Sequence, residues 1–313
     1  MKVCFSLLAC CLVAAPVFAA PPPIKHVPSD AKWVVHVDVD ALLRSQVGEF
    51  IGREFLDPKF NKVAADLRKQ FDLELDWRKI HSLTAYGSDS DFEHLQDKKN
   101  GVLLVESELD IADALDRVLE KVGAGGGAPF KKLQVEPFAV YGNNDVVGTP
   151  VGEHLFILAR SRELLESARR GLATKAGGGK VATTAPAKAE ASAGFLTVLL
   201  SDTQAMGAAL PPQARVLKDT QGVRVVAGEK AEHVFVNASL EAKDSDVAQQ
   251  LQQMLQGVIA FAQMTQTENQ DLQQLSQSAK IGGTDNMVTV DLQMPVKDAI
   301  AKLGKTQQKK HRG

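Results

Sequence analysis

The residues most able to do chemistry are His36, Asp38 and Asp40, in the stretch Trp33-Val34-Val35-His36-Val37-Asp38-Val39-Asp40. A strand spacing of two puts His36 and Asp38 on one face, where a carboxylate can orient an imidazole for base chemistry. No Ser nucleophile motif or second histidine stands nearby to complete such a set. A second acidic group, Asp89, Asp91 and Glu93 with His94, resembles the start of a calcium loop, but the glycine at the sixth position and the glutamate at the twelfth are missing. His26, His81, His154, His233 and His311 show no metal-ligand spacing. The run from Gly123 to Ala128 follows a helical pattern and not a strand, the wrong context for a dinucleotide loop, and Gly177 to Lys180 lacks the spacing of a phosphate loop. The residues therefore assign no catalytic, cofactor-binding or metal-ligating set. A metal-dependent or acid/base hydrolase built on His36, Asp38, Asp40 or the Asp89 to Glu93 loop is the alternative reading.

Composition narrows the partners. The chain has 313 residues, a formal charge of −2 and 5% aromatic residues, which gives no reason to expect nucleic acid and disfavours stacking surfaces for sugars or bases. Residues 1–19 read as a signal peptide: Lys2 is the basic start, Val3 to Ala15 is apolar, and Val17-Phe18-Ala19 places small residues before a cut at Ala20. Leu7-Leu8-Ala9-Cys10 faintly resembles a lipoprotein cleavage site. Cys4, Cys10 and Cys11 all lie inside this leader. The remainder is expected to be periplasmic or secreted, free of disulfides and of a transmembrane segment.

The elements that position these residues come in two similar runs. Val102 to Val105 is a β-branched run, followed by Ser107 and Asp110 at capping-box spacing, then by the stripe Ile111, Ala114, Leu115, Val118, Leu119 and Val122. Val234, Val236, Ala238 and Leu240, then Asp244 or Asp246, then Val247, Leu251, Met254, Leu255 and Val258 echo that unit. Strands are expected at Trp33–Val37, Ile80–Gly87, Phe138–Gly142 and His154–Ala159 in the first run, with helices opened by Asp40, Pro58 and Ser161. In the second run they are expected at Phe195–Leu200, Val223–Ala227, Ala279–Gly283 and Met287–Met294, with helices opened by Asp202 and Pro295 and the last closed by Gly304. The second run also extends its central helix into a Gln-rich stretch between Gln249 and Gln277.

The segment 173–194 holds almost no large apolar residue and reads as a disordered Ala/Gly/Lys/Thr-rich linker. The organisation is then a leader (1–19), a first half (20–172), the linker, a second half (195–304) and a basic tail (305–313). Lys305, Lys309, Lys310 and Arg312 in that tail can touch anionic surfaces weakly. The order of elements predicts an α+β fold of two related halves, an internal duplication, each half a mainly antiparallel sheet with helices packed on one face.

The stretches VPSDAKWVVHVDVDALLRSQVGEF, GVLLVESELDIADALDRVLEKV and HLFILARSRELLESARRGL resemble a loose family of uncharacterised exported bacterial proteins of planctomycete- and verrucomicrobia-like lineages. The resemblance implies export and the two-half architecture, and carries over no site residue. The sequence is thus read as a non-catalytic envelope protein binding an unknown protein or small-molecule partner, with a structural self-assembling component as a further alternative.

Overall fold

The computed structural model describes residues 26–88, 101–123, 130–134, 138–143, 145–173, 194–201, 220–264 and 276–310. The leader, the Asp89 to His94 loop, residues 124–129, the linker interior at 174–193, the helix expected from Asp202, residues 265–275 of the Gln-rich stretch and the last three residues lie outside them.

The chain begins with β1 (Trp33–Asp38), α1 (Val39–Leu43) and α2 (Gln46–Ile51), continues through a π-helical turn (Gly52–Leu56) into α3 (Asp57–Phe71), and passes a 3-10 turn (Trp77–Lys79) to β2 (Ile80–Gly87) and β3 (Gly101–Ser107). Next come α4 (Ile111–Gly123), β4 (Lys131–Gln134), β5 (Val140–Gly142), β6 (Val147–Val151), β7 (Leu155–Ala159) and α5 (Arg162–Ala173). The second run has β8 (Gly194–Leu200), β9 (Thr220–Lys230), β10 (His233–Ala242), α6 (Ser245–Met264), β11 (Lys280–Thr284), β12 (Met287–Pro295) and α7 (Val296–Lys310).

The strands form one 12-stranded sheet in the order β11-β12-β10-β9-β8-β1-β2-β3-β7-β6-β5-β4. Every pairing in it is antiparallel. The fold is α+β, and the two sheets expected from the sequence are joined edge to edge. The joint is β1 against β8, from Trp33 opposite Leu200 to Val37 opposite Leu196. Counted outward from it, the first three strands on each side follow chain order and the rest run in reverse.

The helix starts repeat the same local chemistry on both sides. Asp110 Oδ1 accepts from Asp113 N at 2.8 Å, and Asp244 Oδ1 accepts from Val247 N at 2.9 Å. Each carboxylate thereby satisfies an amide that the first helical turn leaves free. Just before each cap, the strand end meets a hairpin turn: Ser107 N donates to His154 O at 2.8 Å and Ala242 N to Asn286 O at 2.7 Å.

Helices cover both faces of the β3–β7 region, a correction to the expected single face. The α5 side chains Leu165 and Ala168 pack with Val102, Leu104, Ile157 and Ala159. The α4 side chains Ile111, Leu115 and Leu119 pack with Leu103, Val105, Phe156 and Leu158. These two sets alternate along the same strands, so they point to opposite faces. Strands apolar at every position need cover on both sides, as buried strands do. On the second side α6 packs Val247, Ala248 and Leu251 against Leu240, Ala242 and Val288. Register places Leu240 and Val288 on the face of Leu103 and Val105, so α4 and α6 share it.

Other boundaries differ from expectation for local reasons. β6 is unexpected: Gly148 and Pro150 break its pattern, yet a Cβ at Gly148 would lie 2.5 Å from Phe156 Cε1, so close strand packing requires that glycine. The hairpin neighbour of β7 is therefore β6, and β5 lies one strand further out. The helix expected to close at Gly304 continues to Lys310, since one glycine costs a helix only about 1 kcal/mol. The cap of α1 is Asp38, whose carboxylate accepts from Ala41 N at 2.7 Å, and not Asp40.

One contact ties α2 to the far side of the sheet. Glu229 on β9 accepts from Gln46 N at 3.1 Å and from Val47 N at 3.0 Å. This carboxylate sits at the positive end of a helix more than 180 positions away in sequence. Glu229→Ala is expected to lower stability by about 1 kcal/mol, the size of a lost helix cap, and Glu229→Gln by less, read from denaturant midpoints at unchanged slope.

Candidate functional site

Across the joint, one sheet face carries a band of polar side chains. Register sets His36 on β1 between Thr84 on β2 and Thr197 on β8. The adjoining row runs Tyr86, Val34, Leu199, Arg224, Ser239 and Thr289, from β2 across to β12. Alternation keeps these two rows on the face that α5 covers further out.

His36 Nδ1 and Thr84 Oγ1 share a hydrogen bond of 2.8 Å. Burial lowers the His36 pKa below its ordinary 6.5, against the opposing pull of Asp38 and Glu106. The ring is therefore neutral at pH 7. Asp38 is committed to capping α1, and Glu106 accepts from Ser82 Oγ at 3.1 Å. Burial, with the nearby Asp30 charge, pushes the Tyr86 phenol up to about 12.

The orienting contact of Asp38 on His36 that the strand spacing allows is not made: the ring bonds Thr84 and the carboxylate caps α1. Asp40 meets His81, with Nδ1 at 3.0 Å from Oδ2, while His81 Nε2 stands 3.5 Å from Glu108. The strand pattern hid this pair because His81 sits at a register shift between β2 and β3. Among the described residues, no three side chains of His, Cys, Asp and Glu are grouped to hold a metal ion. No helix among those residues is long and apolar enough to cross a membrane.

Arg224 is the residue that sequence reasoning passed over. It is 8% exposed, and its Nε is buried with no hydrogen-bond partner. Burial lowers its pKa from the ordinary 12.5, and among the described residues no carboxylate opposes that shift. An arginine between valines on a central strand, in Gly222-Val223-Arg224-Val225-Val226, was the available signal. The same face holds Ser239 beside it, itself 6% exposed. In the next row Asn237 Nδ2 donates to Asp291 Oδ1.

A separate cleft of about 250 Å³ lies where the β6–β7 turn meets the start of α4, lined by Ser107, Asp110, Ile111, Glu153 and His154 among others. Asp110 already occupies the Asp113 amide at that helix end, and Ser107 Oγ accepts from Leu109 N at 3.2 Å. The cleft presents hairpin-turn side chains and no convergent polar set.

No protein-family model matches the chain, and no curated protein does. Among solved structures, crystal form III of TP0453 aligns with a TM-score of 0.49 at 8% identity, over 89% of this chain and 96% of that one. Crystal form I of TP0453 aligns with a TM-score of 0.46 at 9% identity, over 92% and 98%.

The His36 environment sets a pH dependence. Its folded pKa lies below its unfolded one, so between the two values the unfolded chain binds more protons and stability rises with pH. That contribution is complete above about pH 6.5 and is lost as pH falls from there. His36→Gln is expected to flatten the stability curve between about pH 7 and pH 5 relative to wild type, measured by denaturant titration at stepped pH. Identical pH slopes for the two proteins would contradict this assignment.

Proposed function

We propose that this chain is an exported, non-catalytic protein of the bacterial envelope that binds a small-molecule or protein partner on the sheet face spanning β1 and β8. The observation that carries this reading is the polar band itself. Thr84, Arg224 and Ser239 are all buried, on the same face as His36, beside the apolar cluster that reaches Val34 and Leu199. Burying polar groups is unfavourable unless something satisfies them, and a purely structural joint would be better served by apolar side chains. Export rests on the leader-like residues 1–19 and on the resemblance to exported bacterial proteins.

We read the two sides of the sheet as copies of one unit. In support stand the shared outward strand order, the paired caps at Asp110 and Asp244 and the matched strand-end contacts at His154 and Asn286. Duplication places the joint where two equivalent first strands meet, which is where a binding face common to both copies would form.

The test is a thermal-shift screen of the chain from Ala20 onward against small carboxylates, phosphates, amines and sugars, with Thr84→Val as the comparison. At least one ligand class is expected to raise the melting temperature of wild type and to act more weakly on the variant. Turnover of a hydrolase panel that disappears in His36→Gln, or a stoichiometric bound metal, would instead establish the hydrolase. Concentration-dependent self-assembly with no ligand response would establish the structural component. The N-terminus of the exported protein is expected at Ala20, read by N-terminal sequencing of the envelope fraction.

A further inference from the structure

We infer that Arg224 is the receptor for a small oxyanion, a carboxylate or a phosphate, on the joint face of the sheet. This deepens the binding reading above and rests on it. The Arg224 side chain is enclosed, and no carboxylate among the described residues pairs with it. A lysine so placed could lose its proton, but a guanidinium stays charged under any condition in which the protein is folded. Among the described residues nothing meets that charge.

Geometry points to where a counter-ion sits. Nε is sealed from solvent and unsatisfied, and the terminal nitrogens extend beyond it. Those nitrogens form a planar fork that matches two oxygens of a carboxylate or phosphate. Register adds hydroxyls on the same face: Ser239 lies opposite Arg224, and Thr289 lies opposite Ser239. On its other side Arg224 faces Leu199 and has Val226 two residues along the strand, both buried and apolar. A cation with hydroxyl donors to one side and a dry wall on the other is an arrangement for a single compact anion.

The acids nearby do not serve as its partner. Asp291 takes the Asn237 amide, and Glu241, one row along, lies against Gly222, 3.9 Å from the position its Cβ would take. Both carboxylates also disfavour ligands of high charge on this face, which selects a small oxyanion over a polyanion.

The experiment measures melting temperature and binding heat for the chain from Ala20 onward with inorganic phosphate, acetate and succinate, at constant ionic strength held with chloride. Phosphate or a carboxylate is expected to raise the melting temperature where chloride does not. Arg224→Gln is expected to weaken binding by about tenfold or more, while melting at or above the wild-type temperature without ligand, because it removes a buried unpaired charge. Arg224→Lys keeps a charge and loses the fork, so it binds with intermediate strength and covers the case in which Arg224→Gln fails to fold. Equal oxyanion binding by wild type and either variant would overturn the inference, as would wild type that responds to no oxyanion. If amines or sugars bind wild type while oxyanions do not, the Arg224 inference falls and the binding reading stands. If no ligand class acts on wild type, both fall.

Discussion

The pairing of β1 with β8 is the constraint on which the architecture depends. Its register runs from Trp33 opposite Leu200 to Val37 opposite Leu196, bringing together strands separated by most of the first run. Unpaired, each would be a flat apolar edge rich in Val and Leu, the kind of edge that recruits other chains. Paired, they become the centre of the sheet, and Val34 is completely buried there. The end of the pair is fastened where Ser201 N donates to Lys32 O at 2.8 Å and Ser201 Oγ donates to Ala31 O at 3.1 Å. The cap that Glu229 places on α2 adds a second tie across the same line.

That joint also explains where polarity is placed. Under α5 the sheet face is Val102, Leu104, Ile157 and Ala159, a dry surface that matches the apolar stripe of the helix. Moving across β2, β1 and β8 the same face takes on Thr84, His36 and Thr197, and beyond them Arg224, Ser239 and Thr289. The opposite face shows no such gradient around α4 and α6, where Val105 and Phe156 on one side and Leu240 and Val288 on the other meet helices directly. The α5 face of the joint thus sets core residues, Tyr86, Val34 and Leu199, beside polar groups whose burial needs a separate account.

Much of this was legible in the sequence because it is local. The β-branched runs of β1, β3 and β10 and the apolar stripes of α4 and α6 follow from periodicity; the cap of α4 is Asp110 and not Ser107, and that of α6 is Asp244, one of the two candidates. What was hidden is non-local or breaks local rules. β6 contains Gly148 and Pro150, whose places are set by Phe156 and by a sheet position that sequence cannot reveal. The expected pair of helices near Asp40 and Pro58 is nearly continuous from Gln46 to Phe71, because the π-helical turn at Gly52 lets the backbone pass close to the Trp77 ring. His36 and Asp38 were rightly placed on one strand, but the Asp38 carboxylate was already spoken for by the Ala41 amide. Arg224 was visible as a charge among valines, but that its Nε finds no partner among the described residues was not, since that depends on the whole sheet.

The separation of the cores bears on how the joint face behaves. One cluster, around Ile157 and Leu165, spans β1, β2, β3, β7 and α5 and reaches Leu199 on β8. Another, around Leu251 and Val288, lies under α6. These two clusters lie on opposite faces of the sheet with its paired strands between them, so hydrogen-bonded backbone carries much of the coupling. Backbone pairing fixes register firmly but tolerates small changes of twist between neighbouring strands. Side chains standing on the bridging strands, His36, Thr197 and Arg224 among them, sit where such a change is felt most. A group bound between them would touch strands of both sides at once, and its binding energy would then add to the pairing that holds those strands together.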